Sequence, residues 1–231
     1  MVGKAYVMTF NPAAAQSVLQ ILEHAQLPDR DLVIDFGSQR YTAQRIYQTQ
    51  CTRDFYIGNG FKEYMALDVN DAVDTVKTDL NEILKISKAA SLVTNIGTGE
   101  HIFDQCSVFT NMHNLCKIGG VMFFHLPFTP WLNHGFYNYN PILFPALAHA
   151  NNYGLMMLEI GDREGNIEKI SYEEMVKEKG QYQLEDVARK AKMPLFVYCA
   201  FKKLHDAPFR KPFQGKYKAD IKDDQIAQRY S

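Results

Sequence analysis

The segment Leu32-Val-Ile-Asp-Phe-Gly-Ser-Gln-Arg40 constrains the fold more than any other stretch of the chain. An apolar run of strand length that ends in an acid, a spacer and a glycine describes a buried parallel strand turning sharply at its carboxyl end. In open α/β sheets that edge is where cofactors bind, so a nucleotide-like ligand is expected there. A dinucleotide fingerprint requires Gly-x-Gly-x-x-Gly, whereas Gly37 stands alone before Ser38, Gln39, Arg40 and Tyr41. Without the second glycine a pyrophosphate cannot approach the backbone in the usual way. Taken by itself, the segment reads equally as a core strand closed by an ordinary turn glycine.

The length, 231 residues, fits one large α/β domain. We place that domain at residues 1–204, with an N-terminal helix at 12–25 and an insertion at 161–193, followed by a polar tail at 205–231. A net charge of −1 gives no electrostatic reason to expect nucleic acid or an anionic membrane as a partner, and a small acceptor molecule is the easier expectation. Cys51, Cys106, Cys116 and Cys199 lie far apart without a Cys-x-x-Cys pair. Cys106 and Cys199 fall in apolar patterns and read as buried thiols of a reducing compartment, with cytoplasm as the default. The chain begins without a secretory leader, and no apolar run approaches the length of a membrane span, so a soluble protein is expected. Oligomeric state is not legible.

Asn11-Pro12 has the form of an N-cap and first helical position, and Val18, Ile21, Leu22 and Ala25 repeat at helical spacing until Leu27-Pro28. Strands are expected at 31–36, 62–67, 74–78, 91–96, 121–126, 155–160 and 195–201. A weak helix falls in 41–60, and others at 100–117, 140–150 and 184–192, with Gly119-Gly120 ending the second of these four. This alternation predicts an α/β, Rossmann-like, mostly parallel seven-stranded sheet with helices on both faces. Only one small helix separates the last two strands, so an antiparallel final strand, inserted as a hairpin at the sheet edge, is expected.

Polar residues gather at the strand ends: Asp35 and Gly37 after the first, Asp68 after the second, Asp79 after the third, Asn95 and Gly97 after the fourth. An acid after the second strand suits a ribose diol, because one carboxylate accepts from both hydroxyls. In Val33-Ile-Asp-Phe-Gly37, Ala66-Leu-Asp68, Thr78-Asp-Leu-Asn81, Val93-Thr-Asn-Ile-Gly-Thr-Gly-Glu-His101 and Leu115-Cys-Lys-Ile-Gly-Gly-Val121 the chain resembles the class I S-adenosylmethionine-dependent methyltransferases, over roughly 31–201. The Glu-His pair and the Lys-x-Gly-Gly ending look like the small-molecule branch. The resemblance implies S-adenosylmethionine as cofactor. It places the methionine part at Gly37, the ribose at Asp68, the adenine amino group at Asp79 and the methionine side at Asn95. Ser38, Gln39, Leu80 and His101 join the implied cofactor set with Asp35 and Gly97. Two departures stand out: the glycine loop is reduced to Gly37, and Asp68 comes 31 positions after it where such folds show about 20.

His101, His113, His125, His134 and His149 all fall between the fourth and sixth strands. No pair shows His-x-x-x-His on a helix or a companion acid at a recognised spacing, so no metal is expected. His113 and His149 read as helix-surface residues. The aromatic and amide-rich loop 126–140 follows the fifth strand and has the composition of a small-molecule pocket, or of a lid packed on the core. Methyl transfer needs alignment and exclusion of water, with a base where the acceptor is a hydroxyl or amine. His134 is the first candidate base and His125 the second, with Tyr137 as a substrate-orienting hydroxyl; His101 reads equally as a brace for the loop. A nicotinamide-dependent oxidoreductase and a non-catalytic methyltransferase-like binding protein remain as alternatives.

Overall fold

The computed structural model describes residues 9–42, 51–162, 164–169, 185–186, 188–191, 193–214 and 220–230. Helix α1 (Pro12–His24) starts where the sequence places it: the Asn11 side chain accepts the Ala14 N–H at 2.9 Å, and Pro12 sits where a missing N–H costs nothing. Ala14, Val18, Ile21 and Leu22 form its buried face. The helix ends as Ala25 bonds back to Ile21 and Gln26 takes a positive φ of 45°, ahead of Pro28.

Strand β1 (Thr9–Phe10) pairs in parallel with β3 (Arg40–Tyr41), outside the main sheet. The main sheet contains β2 (Leu32–Phe36), β4 (Glu63–Asp68), β5 (Thr75–Lys77), β6 (Ala90–Ile96), β7 (Cys116–Thr129), β8 (Gly154–Asp162), β9 (Ile167–Lys169) and β10 (Leu195–Lys202). Their spatial order is β5-β4-β2-β6-β7-β10-β8-β9. Pairing is parallel from β5 to β7, and β10 runs antiparallel to both β7 and β8. The seven expected strands are thus present with the last one antiparallel, and β9 adds a short hairpin strand beyond β8.

The final strand is not at the edge as expected. Every residue from Leu195 to Phe201 is buried, and a strand apolar on both faces is stable only between two neighbours, here β7 and β8. On one face of the sheet lie α1 and α2 (Thr52–Gly58), meeting Val33, Leu92, Phe123 and Tyr198. On the other lie α3 (Gln105–Leu115) and α4 (Leu143–Ala150), meeting Ile34, Val93, Phe124 and Val197.

The helix expected over 100–117 is shorter. Asp104 is its N-cap, accepting from Ser107 N–H at 3.1 Å, and residues 99–101 form a separate 3₁₀ turn. Gly119 and Gly120 do not close that helix. They lie in β7, where pairing with β6 jumps from Ala90↔Cys116 to Leu92↔Val121, and a Cβ at Gly120 would stand 3.0 Å from the Ser91 carbonyl. In the segment 41–60, Tyr41 belongs to β3 and the helix is α2; 43–50 lie outside the described residues, as does most of 161–193. The first two residues of that insertion complete β8, while 185–186 and 188–190 are helical as expected.

His113 is buried rather than on a helix surface, with Nδ1 2.7 Å from the Tyr153 hydroxyl, and burial together with the Lys203 charge pushes its pKa down to about 4. The cause is the segment after β10, which crosses this end of α3. Lys203 is itself buried and donates to the carbonyls of His113 and Cys116 and to Asp206. It places a cation on the carbonyls at the carboxyl end of α3. Asn151 and Arg210 bond reciprocally through backbone and amide, and Phe209 packs on the core, so residues 205–210 strap the domain. All four cysteines are free thiols, with Cys116 and Cys199 buried and Cys106 only half-buried.

Phe124 joins the rings of Phe109, Phe144 and Phe201 at centroid distances of 5.6–5.7 Å, tying β7 and β10 to α3 and α4. Phe124→Ala removes that hub and is expected to cost about 3–5 kcal/mol, read as a lowered urea midpoint with an unchanged slope.

Candidate functional site

Each parallel strand delivers its carboxyl end to one edge, where the turns contact one another. Gly37 has a φ of +86°, and a Cβ on it would stand 2.2 Å from the Thr98 hydroxyl oxygen. Both facts demand glycine for reasons internal to the fold. Gln39 reinforces the junction by donating to the Phe36 carbonyl and to the Thr98 hydroxyl, each at 3.1 Å. The space over Gly37 is therefore filled by Thr98 and Gln39.

Asp68 ends β4 beside this turn. Its Oδ2 accepts the Ser38 N–H at 2.7 Å, and its Oδ1 accepts from the Asn70 backbone and side chain at 3.0 Å. The long interval from Gly37 is taken up by β3 and α2, and the acid still reaches the glycine turn. Asp79 is exposed after β5, accepting the Asn81 N–H and amide at 2.9 Å, bonds that hold its carboxyl below the usual range. Its neighbour Leu80 points the other way into the core and is corrected from a binding residue to a packing one. Gly97, with a φ of +64°, ends β6 and donates its N–H to the His125 carbonyl. The buried Asn95 turns inward: its Oδ1 accepts the Gly99 N–H at 2.9 Å, while Nδ2 has no hydrogen-bond partner among the described residues.

Two candidates do not face the edge. Asp35 alternates with Phe36 and points to the α1/α2 face, where Tyr56, Tyr64 and Thr94 donate hydroxyls to it. Burial pushes its pKa up to about 7 against the pull of those donors. His125 is likewise buried, its ring 4.4 Å from those of Phe196 and Tyr198 and neither nitrogen with a hydrogen-bond partner among the described residues. Desolvation drives its pKa down to about 3, and enclosure by those rings rules it out as a base for an acceptor at the edge.

The loop after β7 does reach the edge, and it does so by closing on Glu100. The Glu100 carbonyl accepts the N–H groups of Phe136 and Tyr137 at 2.8 and 3.3 Å, and a Cβ at Gly135 would stand 2.8 Å from Glu100 Cγ. His134 thereby places Nε2 3.2 Å from Glu100 Oε1, and His101 Nε2 lies 3.8 Å from the same oxygen. The Glu100 side chain is 0% exposed, that of His134 6% and that of His101 45%. Trp131, anchored by its N–H on the Leu195 carbonyl, packs 4.9 Å from the His134 ring. Tyr137 spends its hydroxyl proton on the Phe103 carbonyl at 2.9 Å, a structural bond rather than a free substrate donor. The sequence reading missed Glu100 as a site residue; its signal was an acid directly after Gly-Thr-Gly at a strand end.

A cavity of about 440 Å³ lies at the opposite edge, between His149, Asn152, His205, Arg210, Phe213 and Tyr230, away from the converging strand ends. The strand order, with one antiparallel strand between the fifth and sixth, is the decisive topological feature. Among solved structures the chain is similar to Burkholderia thailandensis 1,6-didemethyltoxoflavin-N1-methyltransferase, solved with 1,6-didemethyltoxoflavin and S-adenosylhomocysteine. The TM-score is 0.53 at 15% identity, covering 84% of this chain and 79% of that one. The plantazolicin methyltransferase BpumL, in complex with SAH, gives 0.51 at 11% identity with 83% of each chain covered. The StiE O-MT segment 961–1257 gives 0.50 at 12%, covering 81% and 73%. The chain has the class I methyltransferase fold. No protein-family model matches the sequence, and no curated protein does. In this methyltransferase fold Ser38, Asp68 and Asp79 stand at the carboxyl edge, as do the Gly97–His101 turn and the His134 loop.

Asp35 makes the stability of the fold depend on pH. Between the ordinary carboxyl value of 3.8 and about 7 the unfolded chain releases a proton that the folded chain keeps. Stability contributed by the neutral carboxyl is therefore full below the lower value and lost as pH rises through the upper one. Asp35→Asn has no such proton, so its denaturation midpoint relative to the wild type is expected to improve by the equivalent of a few kcal/mol from pH 4.5 to 7.5. A constant difference would mean that Asp35 ionises in the fold.

Proposed function

We propose that this chain binds S-adenosylmethionine at the carboxyl edge and transfers its methyl group to oxygen or nitrogen of a small molecule. The observation that carries the reading is the juxtaposition of Asp68 with the Gly37–Ser38 turn and of the Glu100–His134 pair with the neighbouring turn after β6. Asp68 keeps one acceptor position, on Oδ2, for a ribose hydroxyl, and exposed Asp79 keeps Oδ2 to accept from an adenine amino group. When bound, the cofactor supplies a methyl group on a sulfonium. Phe103 and Phe136, 73% and 70% exposed and stacked edge to face at 6.2 Å, form an apolar rim beside His134 that suits a flat or apolar acceptor. The chain's own part would be to hold the acceptor so that its lone pair faces that methyl group. The proton lost by the acceptor passes to the polar cluster of Glu100 and His134.

A second reading rests on one observation. Thr98 and Gln39 fill the space over Gly37 where the methionine part would come closest, which favours a binding protein that has kept the fold without the transfer. Calorimetry with S-adenosylhomocysteine separates the two. Binding is expected, and Asp68→Ala and Asp79→Ala are each expected to weaken it by about 1.5–3 kcal/mol, the worth of a hydrogen bond to a charged group. Among the described residues the Asp79 carboxylate accepts only from Asn81, so a loss at that position does not come from a damaged fold. No heat and no thermal stabilisation would sustain the second reading.

With methyl-labelled cofactor and a panel of hydroxylated and amino aromatic compounds, label should pass to the acceptor. His134→Ala should lower turnover by about 10²–10⁴ while S-adenosylhomocysteine affinity stays within about twofold. A loss under tenfold would reduce His134 to a packing residue.

A further inference from the structure

We infer that Glu100, His101 and His134 form a binding site for one divalent transition-metal ion of the zinc class. One ligand atom from each of the three residues lies within 4.8 Å of the others, and Glu100 Oε1 is 3.2 Å from His134 Nε2 and 3.8 Å from His101 Nε2. Ligands of a tetrahedral zinc at ~2.0–2.2 Å stand roughly 3.3–3.6 Å apart, so small side-chain adjustments bring all three onto one ion. The second observation is the other carboxylate oxygen. Glu100 Oε2 is buried with no hydrogen-bond partner among the described residues, inside a side chain with no exposure at all. A carboxylate in that position is costly unless a cation compensates it. The nearby Tyr139 hydroxyl does not help, because it donates to Gln105 at 2.7 Å.

The surroundings hold the ligands firmly. Glu100 and His101 belong to the 3₁₀ turn, His101 donating its N–H to the Thr98 carbonyl, while His134 is carried by the loop that closes on the Glu100 backbone. His101, 45% exposed, provides the entry path. Two imidazoles and a carboxylate choose zinc, cobalt or nickel over calcium and magnesium, which take oxygen ligands. Three protein ligands leave a fourth position open, the arrangement of a zinc site that takes a water or a substrate atom. Where methyl transfer is the activity, an acceptor hydroxyl in that position would lose its proton more readily and the ion would replace His134, whose Nε2 is then a ligand, as the group that promotes proton loss; this consequence alone rests on the proposed function.

The test uses the full chain without an affinity tag, stripped with chelator and titrated with Co²⁺ in the visible region and Zn²⁺ by calorimetry. One equivalent is expected to bind with micromolar or tighter affinity, to give the visible band of a tetrahedral cobalt site, and to raise the melting temperature. His134→Ala and Glu100→Gln should each weaken binding at least tenfold. His101→Ala, at an exposed position, supplies the same readout should a buried change unfold the chain. Absence of the band and of stoichiometric heat would overturn the site and assign Glu100 a histidinium partner instead. Binding that survives in the His101→Ala, His134→Ala double variant would overturn it equally. S-adenosylhomocysteine titrated into the metal-free protein keeps the two proposals apart: metal without that ligand sinks only the methyltransferase reading, and the ligand without metal sinks only the site.

Discussion

Strands β2 and β6 are buried along their whole length, and no other property of the chain organises as much of the molecule. A strand apolar on both faces needs a hydrogen-bonded neighbour on each side and a helical layer above and below. β2 has β4 and β6 as neighbours, and α1 with α2 faces α3 with α4 across the sheet. With both faces closed, the polar ends of these strands can meet a ligand only at the rim. The convergence of Gly37, Asp68, Asp79 and Gly97 on one edge follows from the parallel pairing itself.

The elements that obey local rules were legible in the sequence. Asn11-Pro12 started a helix and Leu27-Pro28 followed its end, and the continuous apolar runs became central strands in parallel register. The antiparallel sense of β10 was legible too, from the lack of a crossover helix before it. Its place between β7 and β8 was also written in the residues, since Leu195 to Phe201 carries apolar groups on both faces. Gly119-Gly120 was misread because glycine pairs mark bulges as well as helix ends, and only the pairing partner of β7 tells the two apart.

For the candidate site, position along the chain predicted which strand end a residue occupies but not which way its side chain points. Asp35 and His125 each sit near a strand end, yet alternation turns both toward the α1/α2 face, among aromatic rings. Counting in twos from Val33 and Phe123, whose side chains belong to that face, gives this result without coordinates. Leu80 and Tyr137 fail for a different reason: one is needed by the core and the other by a carbonyl on the facing turn, contacts that have no signature in the local sequence.

Glu100 shows where a sequence reading stops. It lies 34 residues from His134, and no spacing rule joins a 3₁₀ turn after one strand to a loop after the next. What brings them together is backbone: the Glu100 carbonyl takes two N–H groups of the loop, and Gly135 allows the loop to lie against the glutamate stem. These bonds hold whether or not anything is bound. They keep a carboxylate out of water beside two imidazoles, an arrangement costly for a resting fold and useful to one that receives a cation or a proton at that point. The same turn supplies Thr98 to the cover over Gly37, two peptide bonds from Glu100. One short turn of backbone thus carries both Thr98, which covers Gly37, and Glu100, which holds the loop after β7, and it joins the two halves of the edge.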